Sequence, residues 1–222
     1  MIAWLRQNKG FVAFLLCFGV FRTAVADWNP IPSGSMRPTL LEGDVVFVDR
    51  LAYDLKLPLT DIVVHRFADP QRGDIVTFAS PKDGSRLIKR IVGLPGDRIE
   101  MRGERLFVNG VAARYDGLGE TRESLARGFD VRALRATEHL GGVAHAVQFL
   151  PAVDARRDFG PLVVPPGSYF MLGDNRDNSE DSRFIGVVAR DRLIGRAGRL
   201  LVSVDITGRW LPRFDRFGLR LR

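Results

Sequence analysis

One apolar run near the start of the chain is followed by short segments whose apolar residues recur at every second position. Gly10 to Phe21 carries no charge over twelve residues, and continuing through Arg22 and Thr23 to Ala26 makes seventeen. That is roughly 25 Å of helix, at the short limit for crossing a bilayer. Arg22 is long enough to snorkel to an interface, and Trp28 suits the interfacial belt. Arg6, Lys9 and the amino terminus precede the run. The positive-inside rule therefore predicts a cytoplasmic stub and membrane anchor over residues 1–27, with residues 28–222 on the far side. A charged start, a short apolar stretch and Ala24-Val25-Ala26 before Asp27 also fit a cleaved export signal. Both readings export the remainder and differ only in anchoring.

Beyond Leu40 the pattern is that of strands. Asp44 to Val48, Gly73 to Phe78, Arg86 to Val92, Arg98 to Met101, Glu104 to Val108, Ser168 to Leu172 and Leu193 to Val204 are β-rich runs bounded by turn formers. Arg102-Gly103 suits a hairpin, and Pro165-Pro166-Gly167 a turn before Ser168. No convincing helical period appears in this part. The expectation is a mainly β fold: an antiparallel, sheet or barrel-like domain behind one N-terminal transmembrane helix. Between residues 110 and 161 the alternation weakens and charges crowd together, which predicts an inserted sub-domain with a short helical stretch around Glu123 to Arg127.

Composition agrees with an ordinary folded domain, at 222 residues with 45% hydrophobic and 27% charged. Net charge is +7, and six arginines against two aspartates from Ala197 onward place +4 in the last part of the chain. The basic tail, residues 209–222, carries Trp210, Phe214 and Phe217. It suits an anionic lipid surface or stands as a solvated tail, and no nucleic-acid motif accompanies it. The single cysteine, Cys17, lies inside the apolar run, so no intramolecular disulfide can form. Three scattered histidines and that cysteine lack ligand spacing, and neither a metal nor another cofactor is expected.

Chemistry is concentrated in three places. Ile31-Pro32-Ser33-Gly34-Ser35-Met36-Arg37-Pro38-Thr39-Leu40 follows the anchor, and its prolines hold two serines on a stiff, non-helical turn. A nucleophilic serine needs a base, but His65, His139 and His145 sit in no motif. In Arg86 to Val92 the period of two puts Lys89 with Leu87 and Ile91 on the more apolar face, where desolvation disfavours an ammonium. A fall from about 10.4 to near 7.5 costs roughly 4 kcal/mol, which burial can supply. A lysine that snorkels to the surface fits this strand as well. The third place is Gly173 to Arg183. Read as a calcium loop from Asp177 it fails, with Ser182 at the turn glycine and Val188 at the bidentate glutamate. It is a polar turn, or a source of a hydroxyl and an Asp181/Arg183 pair that braces a neighbouring strand.

Taken together, these residues resemble bacterial type I signal peptidase, a membrane-anchored serine protease with a Ser/Lys dyad. The blocks that carry the resemblance are Ile31 to Met36 with Pro38-Thr39-Leu40, Arg72 to Val76, Ile88 to Arg90 with Val92 to Asp97, and Gly173 to Arg183. They stand in family order and span most of the exported chain, though not the insertion. The resemblance implies that Ser35 is the nucleophile and Lys89 the neutral general base. It implies that Ser33 completes an oxyanion hole with the Ser35 N–H, that Ser179 orients the lysine, and that Asp181 and Arg183 support the site. It implies cleavage after small residues in an A-x-A pattern, with the substrate added as a strand and Ile31, Met36, Leu40 and Ile88 lining shallow apolar pockets. The implied partners are preprotein signal peptides, the lipid bilayer and nearby secretion machinery. The implied location is a bacterial cytoplasmic membrane, single-pass, with the catalytic domain outside. A related protease specialised for a conjugation or pilus precursor, and a non-enzymatic anchored β module, are the alternatives. A self-cleaving repressor has no room for a DNA-binding domain before Ser33.

Overall fold

The computed structural model describes residues 4, 7–58, 60, 62–126 and 129–221. Arg6 and the amino terminus, Arg127 at the end of the expected helical stretch, and Arg222 in the basic tail lie outside the described residues.

The apolar run forms helix α1 (Lys9–Ala24), 16 residues long. Phe11, Phe14, Leu15, Leu16, Phe18, Val20 and Phe21 are all exposed on it, and Ala24 is its one buried residue. Among the described residues no helix is long and apolar enough to cross a membrane. The helix falls short of the expected run because the chain at Ala26 is drawn into a strand. The Arg22 guanidinium lies 4.3 Å from the Trp28 ring centre and pairs with Asp27 at 3.1 Å, tying the helix end to that strand.

The strands in chain order are β1 (Ala26–Pro30), β2 (Asp44–Asp49), β3 (Asp54–Lys56), β4 (Val63–Arg66), β5 (Ile75–Ala79), β6 (Arg86–Gly93), β7 (Arg98–Arg102) and β8 (Arg105–Val108). They continue with β9 (Val111–Ala112), β10 (Arg114–Ala126), β11 (Phe129–Leu140), β12 (Val143–Phe149), β13 (Phe159–Val163), β14 (Ser168–Leu172), β15 (Val188–Ala189) and β16 (Leu193–Ser203). The main sheet has seven strands in the order β1-β2-β16-β5-β6-β14-β15, and every pairing between these strands is antiparallel. The expected antiparallel β architecture is thus present, laid out as an ordered sheet with β1 and β15 at its two ends. A separate sheet, β13-β7-β8-β9, contains the expected hairpin, whose strands meet at Arg102 and Arg105.

Two apolar clusters position the site. One gathers Ile31, Met36, Leu40, Val46, Val48, Ile75, Ile88, Ala197 and Leu200 beneath the serine turn. The other gathers Val76, Phe78, Ile91, Met171, Val188 and Leu193 from β5, β6, β14, β15 and β16. Each buried aliphatic side chain contributes on the order of 1.5–3 kcal/mol relative to exposure. The turn therefore rests on a bed that resists displacement.

The charged insertion departs from expectation. Instead of a helix near Glu123 it holds the chain's longest strands, β10 and β11, which pair with β12 in a three-stranded sheet. Cross-strand hydrogen bonding in a long ribbon sets this structure, so charges occupy both faces and the apolar alternation fades. Register shifts at Asp116/Gly119 and Ser124/Ala126 blur the period further.

The insertion is locked to the Gly173–Arg183 loop by a buried ion pair. Arg176 donates from two guanidinium nitrogens to Glu138 on β11 at 2.7 and 2.6 Å, and both side chains are almost wholly inaccessible. The Tyr115 hydroxyl adds a third hydrogen bond to Glu138 at 2.6 Å. Burial pushes the Glu138 carboxyl up, but Arg176 and His145 outweigh it and leave the group well below the usual carboxylate range. Replacing Glu138 with Gln strands the Arg176 charge in a dry interior, which should cost about 3–5 kcal/mol in a urea unfolding titration. An unchanged midpoint would mean that Arg176 finds other compensation.

Candidate active site

Ser35 lies in a single 3-10 turn, Gly34–Met36, entered from extended backbone at Ser33. Prolines at 30, 32 and 38 prevent this segment from continuing as a helix. Its carbonyls are caught by the opposite loop: Asn175 donates from Nδ2 to Gly34 O at 3.0 Å and from its backbone N–H to Ser35 O at 3.1 Å. Gly173 makes that approach possible, since a Cβ there would collide with the Ser35 carbonyl and the Ser179 hydroxyl.

Strand β6 delivers Lys89 to the turn from a position opposite Val76, with 3% of the residue exposed. A 2.7 Å hydrogen bond joins its Nζ to Ser35 Oγ. Burial pulls the Lys89 amine down from 10.5 to about 8, against the opposing pull of Asp181, Asp174 and Glu180. Each of those carboxylates has a cation of its own. Asp174 takes Arg90 through two 2.8 Å hydrogen bonds, and Asp181 takes Arg183 through another two at 2.8 Å. Glu180 meets Lys82 at 2.7 Å on the surface. Burial pushes Asp174 up, yet Arg90 more than offsets it and the carboxyl ends below its ordinary value.

The sequence-expected residues fall as follows. Ser33 is exposed on the approach to the turn. Ser179 packs over Gly173; its hydroxyl is buried and without a hydrogen-bond partner, so no such bond joins it to Lys89. Asp181 caps helix α2 (Ser182–Ile185) and accepts from the Gly173 N–H at 3.1 Å, so the Asp181/Arg183 pair holds the loop's own backbone. Ile31, Met36, Leu40 and Ile88 share one cluster and have little or no exposed surface. His65 packs against Phe67, His139 pairs with Asp116, and His145 lies 3.3 Å from Glu138. Among the described residues no cluster of His, Cys, Asp or Glu could hold a metal ion.

Sequence reasoning assigned no role to Asn175, Asp174, Arg90 or Thr39, although each lies within a quoted block. The Thr39 hydroxyl donates to Asp174, linking the end of the serine segment to the Arg90 pair. A charged residue directly after Lys89, on the opposite strand face and facing a DNR sequence, was the one available hint.

Residues 2–201 match the family model described as signal peptidase, peptidase S26. The chain belongs to that family. A signal peptidase I of Pseudomonas fluorescens is 37% identical over 96% of this chain and 78% of its own length. Another, from Pseudomonas aeruginosa, is 35% identical with the same coverage, and one from Rickettsia typhi is 32% identical over 91% of this chain and 82% of its own. A solved signal peptidase I from Enterococcus faecalis is 31% identical and covers 59% of this chain and 97% of its own, with a TM-score of 0.37. The family therefore rests on sequence likeness. Membership makes this chain a serine endopeptidase that removes signal peptides from preproteins.

The buried lysine has a consequence for stability. Its folded value of about 8 lies below the ordinary 10.5, so below pH 8 it is charged in both folded and unfolded states and the burial penalty is fully present. The penalty fades as pH rises from 8 towards 10.5. Lys89→Met should therefore stabilise the fold at pH 7 by about 3 kcal/mol in urea titrations, and by much less near pH 10.5. Equal effects at the two pH values would contradict a desolvated ammonium.

Proposed function

We propose that this signal-peptide-removing protease works through Ser35 as nucleophile and Lys89 as general base. The carrying observation is the 2.7 Å hydrogen bond between Ser35 Oγ and a buried lysine whose amine is drawn down to about 8. A neutral Lys89 takes the Ser35 proton as Oγ attacks the scissile carbonyl carbon. The Ser35 N–H and the Ser33 hydroxyl stabilise the resulting oxyanion. Lys89 then gives its proton to the departing amine, the C–N bond breaks, and the signal peptide is left as an ester on Ser35. A water loses its proton to Lys89 as it attacks that ester; the ester C–Oγ bond then breaks, Lys89 returns the proton to Ser35 Oγ, and the signal peptide leaves with a free carboxyl end. Ser179 orients the amine through the proton shifts. Its support is a buried hydroxyl without a hydrogen-bond partner, next in sequence to Glu180 and Asp181, whose charges act on Lys89.

Substrate adds as a strand and presents small A-x-A side chains to the apolar bed of Ile31, Met36, Leu40 and Ile88. A bed with so little open surface favours methyl-sized groups.

The enzyme is anchored by α1 in a bacterial cytoplasmic membrane, with its β domain on the outer face and secretion machinery nearby. Support comes from a helix whose aromatic and aliphatic side chains lack protein cover. The tail adds to it: Trp210, Leu211, Phe214 and Phe217 stand exposed, while Arg213 and Arg216 turn inward to Asp205 and Asp44. Aromatics left outward in this way suit an interface. A protease dedicated to one precursor would leave general A-x-A preproteins uncut.

Ser35→Ala and Lys89→Arg should each abolish cleavage of a preprotein in a gel assay, because a guanidinium cannot give up its proton. Activity retained in Lys89→Arg would remove lysine from the base role. Ser33→Ala should slow turnover by about 10²–10³-fold without stopping it. The rate should rise with pH up to about 8 and level off above, as the Lys89 amine loses its proton. A flat profile from pH 6 to 9 would contradict the assignment.

A further inference from the structure

The β10–β11 ribbon reaches the serine turn through one acidic side chain. Glu123 on β10 is 2% exposed although its ribbon carries charges on both faces. One of its carboxylate oxygens pairs with a guanidinium nitrogen of Arg37, two residues after Ser35. The other meets Arg135 at 3.1 Å, and Arg135 donates to Gln148 at 2.8 Å. Gln148 in turn bonds through its backbone to Asp174 and Arg176 in the opposite loop, at 2.8 and 2.9 Å.

Arg37 is held from a second side by Glu42, with Nε at 2.7 Å and a terminal nitrogen at 2.6 Å. This pair lies against Gly34, the residue between the two serines. A Cβ at Gly34 would stand 2.9 Å from Glu42 Oε1 and 3.1 Å from Arg37 Nε. The far side of Gly34 is fixed by Asn175 on its carbonyl. Gly34 is thus gripped between the Asn175 amide and the Arg37 fork, and two carboxylates hold that fork. One of them belongs to the insertion. A cavity of about 30 Å³ bordered by Gly34, Arg37, Glu42, Glu123 and Asn175 marks the junction.

We infer that the insertion is part of the reaction's positioning apparatus, with Glu123 as a positioning residue that acts through Arg37 to set the peptide planes of the Ser33–Ser35 turn. The inference rests on Ser35 being the nucleophile. Orientation of Oγ towards Lys89 and of the Ser35 N–H towards the oxyanion both depend on Gly34. A misplacement of a fraction of an ångström there lowers the rate of attack without altering how the peptide strand binds. Arg suits the role because a planar fork can bridge two carboxylates at once, which an ammonium cannot do with fixed geometry.

The test measures kcat and KM on an A-x-A preprotein peptide, with thermal unfolding, for the full chain and for Glu123→Gln, Arg37→Gln, the double variant and Arg37→Lys. Glu123→Gln and Arg37→Gln should each lower kcat about tenfold, leave KM within about twofold, and leave the pH midpoint of the rate unmoved. The double variant should be no slower than the worse single one, because the two side chains act as a unit. Glu120→Gln removes an exposed pair with Arg132 on the same ribbon and should leave kcat unchanged. A purely structural role for Glu123 would lower the melting temperature with kcat intact per folded molecule, and that outcome overturns the inference. Additive losses in the double variant overturn it too. If Glu123→Gln does not fold, Arg37→Lys decides: wild-type kcat in that folded variant overturns the inference, and a drop at constant KM upholds it. Cleavage by Ser35→Ala would instead overturn the nucleophile assignment on which all of this stands.

Discussion

An amine kept out of water 2.7 Å from a hydroxyl is the constraint around which this molecule is arranged. Lysine prefers to be charged and solvated, and β6 denies it solvent by burying Lys89 opposite Val76 with its amine on the Ser35 turn. The penalty is carried by the fold as a whole, which is why two apolar clusters, one below the serine turn and one along β6, are needed to hold Lys89 and Ser35 together. A looser core would let the lysine escape to solvent, and the amine would return to its ordinary value.

The same constraint explains the density of ion pairs in the Gly173–Arg183 loop. Any unpaired carboxylate beside Lys89 would favour the ammonium and undo the desolvation. Asp174, Asp181 and Glu180 all exert that pull, and each is countered by its own cation. The two buried pairs are bidentate, so they fix direction as well as charge. Their guanidinium charges offset the pull that these carboxylates exert towards the ammonium form of Lys89. Thr39 and Asn175 tie the loop to the serine segment, and the Gly173 N–H closes the loop on Asp181.

Around this centre the chain is polar where it must be rigid and apolar where it is uncovered. The Arg176–Glu138 pair and the Glu123–Arg37–Glu42 group dock a long β ribbon against the Gly173–Arg183 loop and the serine turn. The uncovered apolar surface is confined largely to α1, the β3–β4 hairpin and the aromatic tail.

Local patterns in the chain determined β2, β5 to β8, β14 and β16, the apolar helix and the hydroxyls on a proline-bounded turn, because side-chain period and proline stereochemistry act over a few residues. They also determined that Lys89 shares a face with Leu87 and Ile91. The strand alone left open whether that face was covered, and only the tertiary structure, which brings the Ser35 turn onto the Lys89 amine, decided that the lysine is buried. The ribbon at residues 114–140 was misread as partly helical because cross-strand pairing, with both faces charged, leaves no apolar period to read. Asn175 and Asp174 were legible as residues of a polar turn, and Glu123 as part of a charged insertion. Their contacts with Gly34, Arg90 and Arg37 span from about 80 to 140 positions, and charge pairing at that separation is settled by tertiary structure alone.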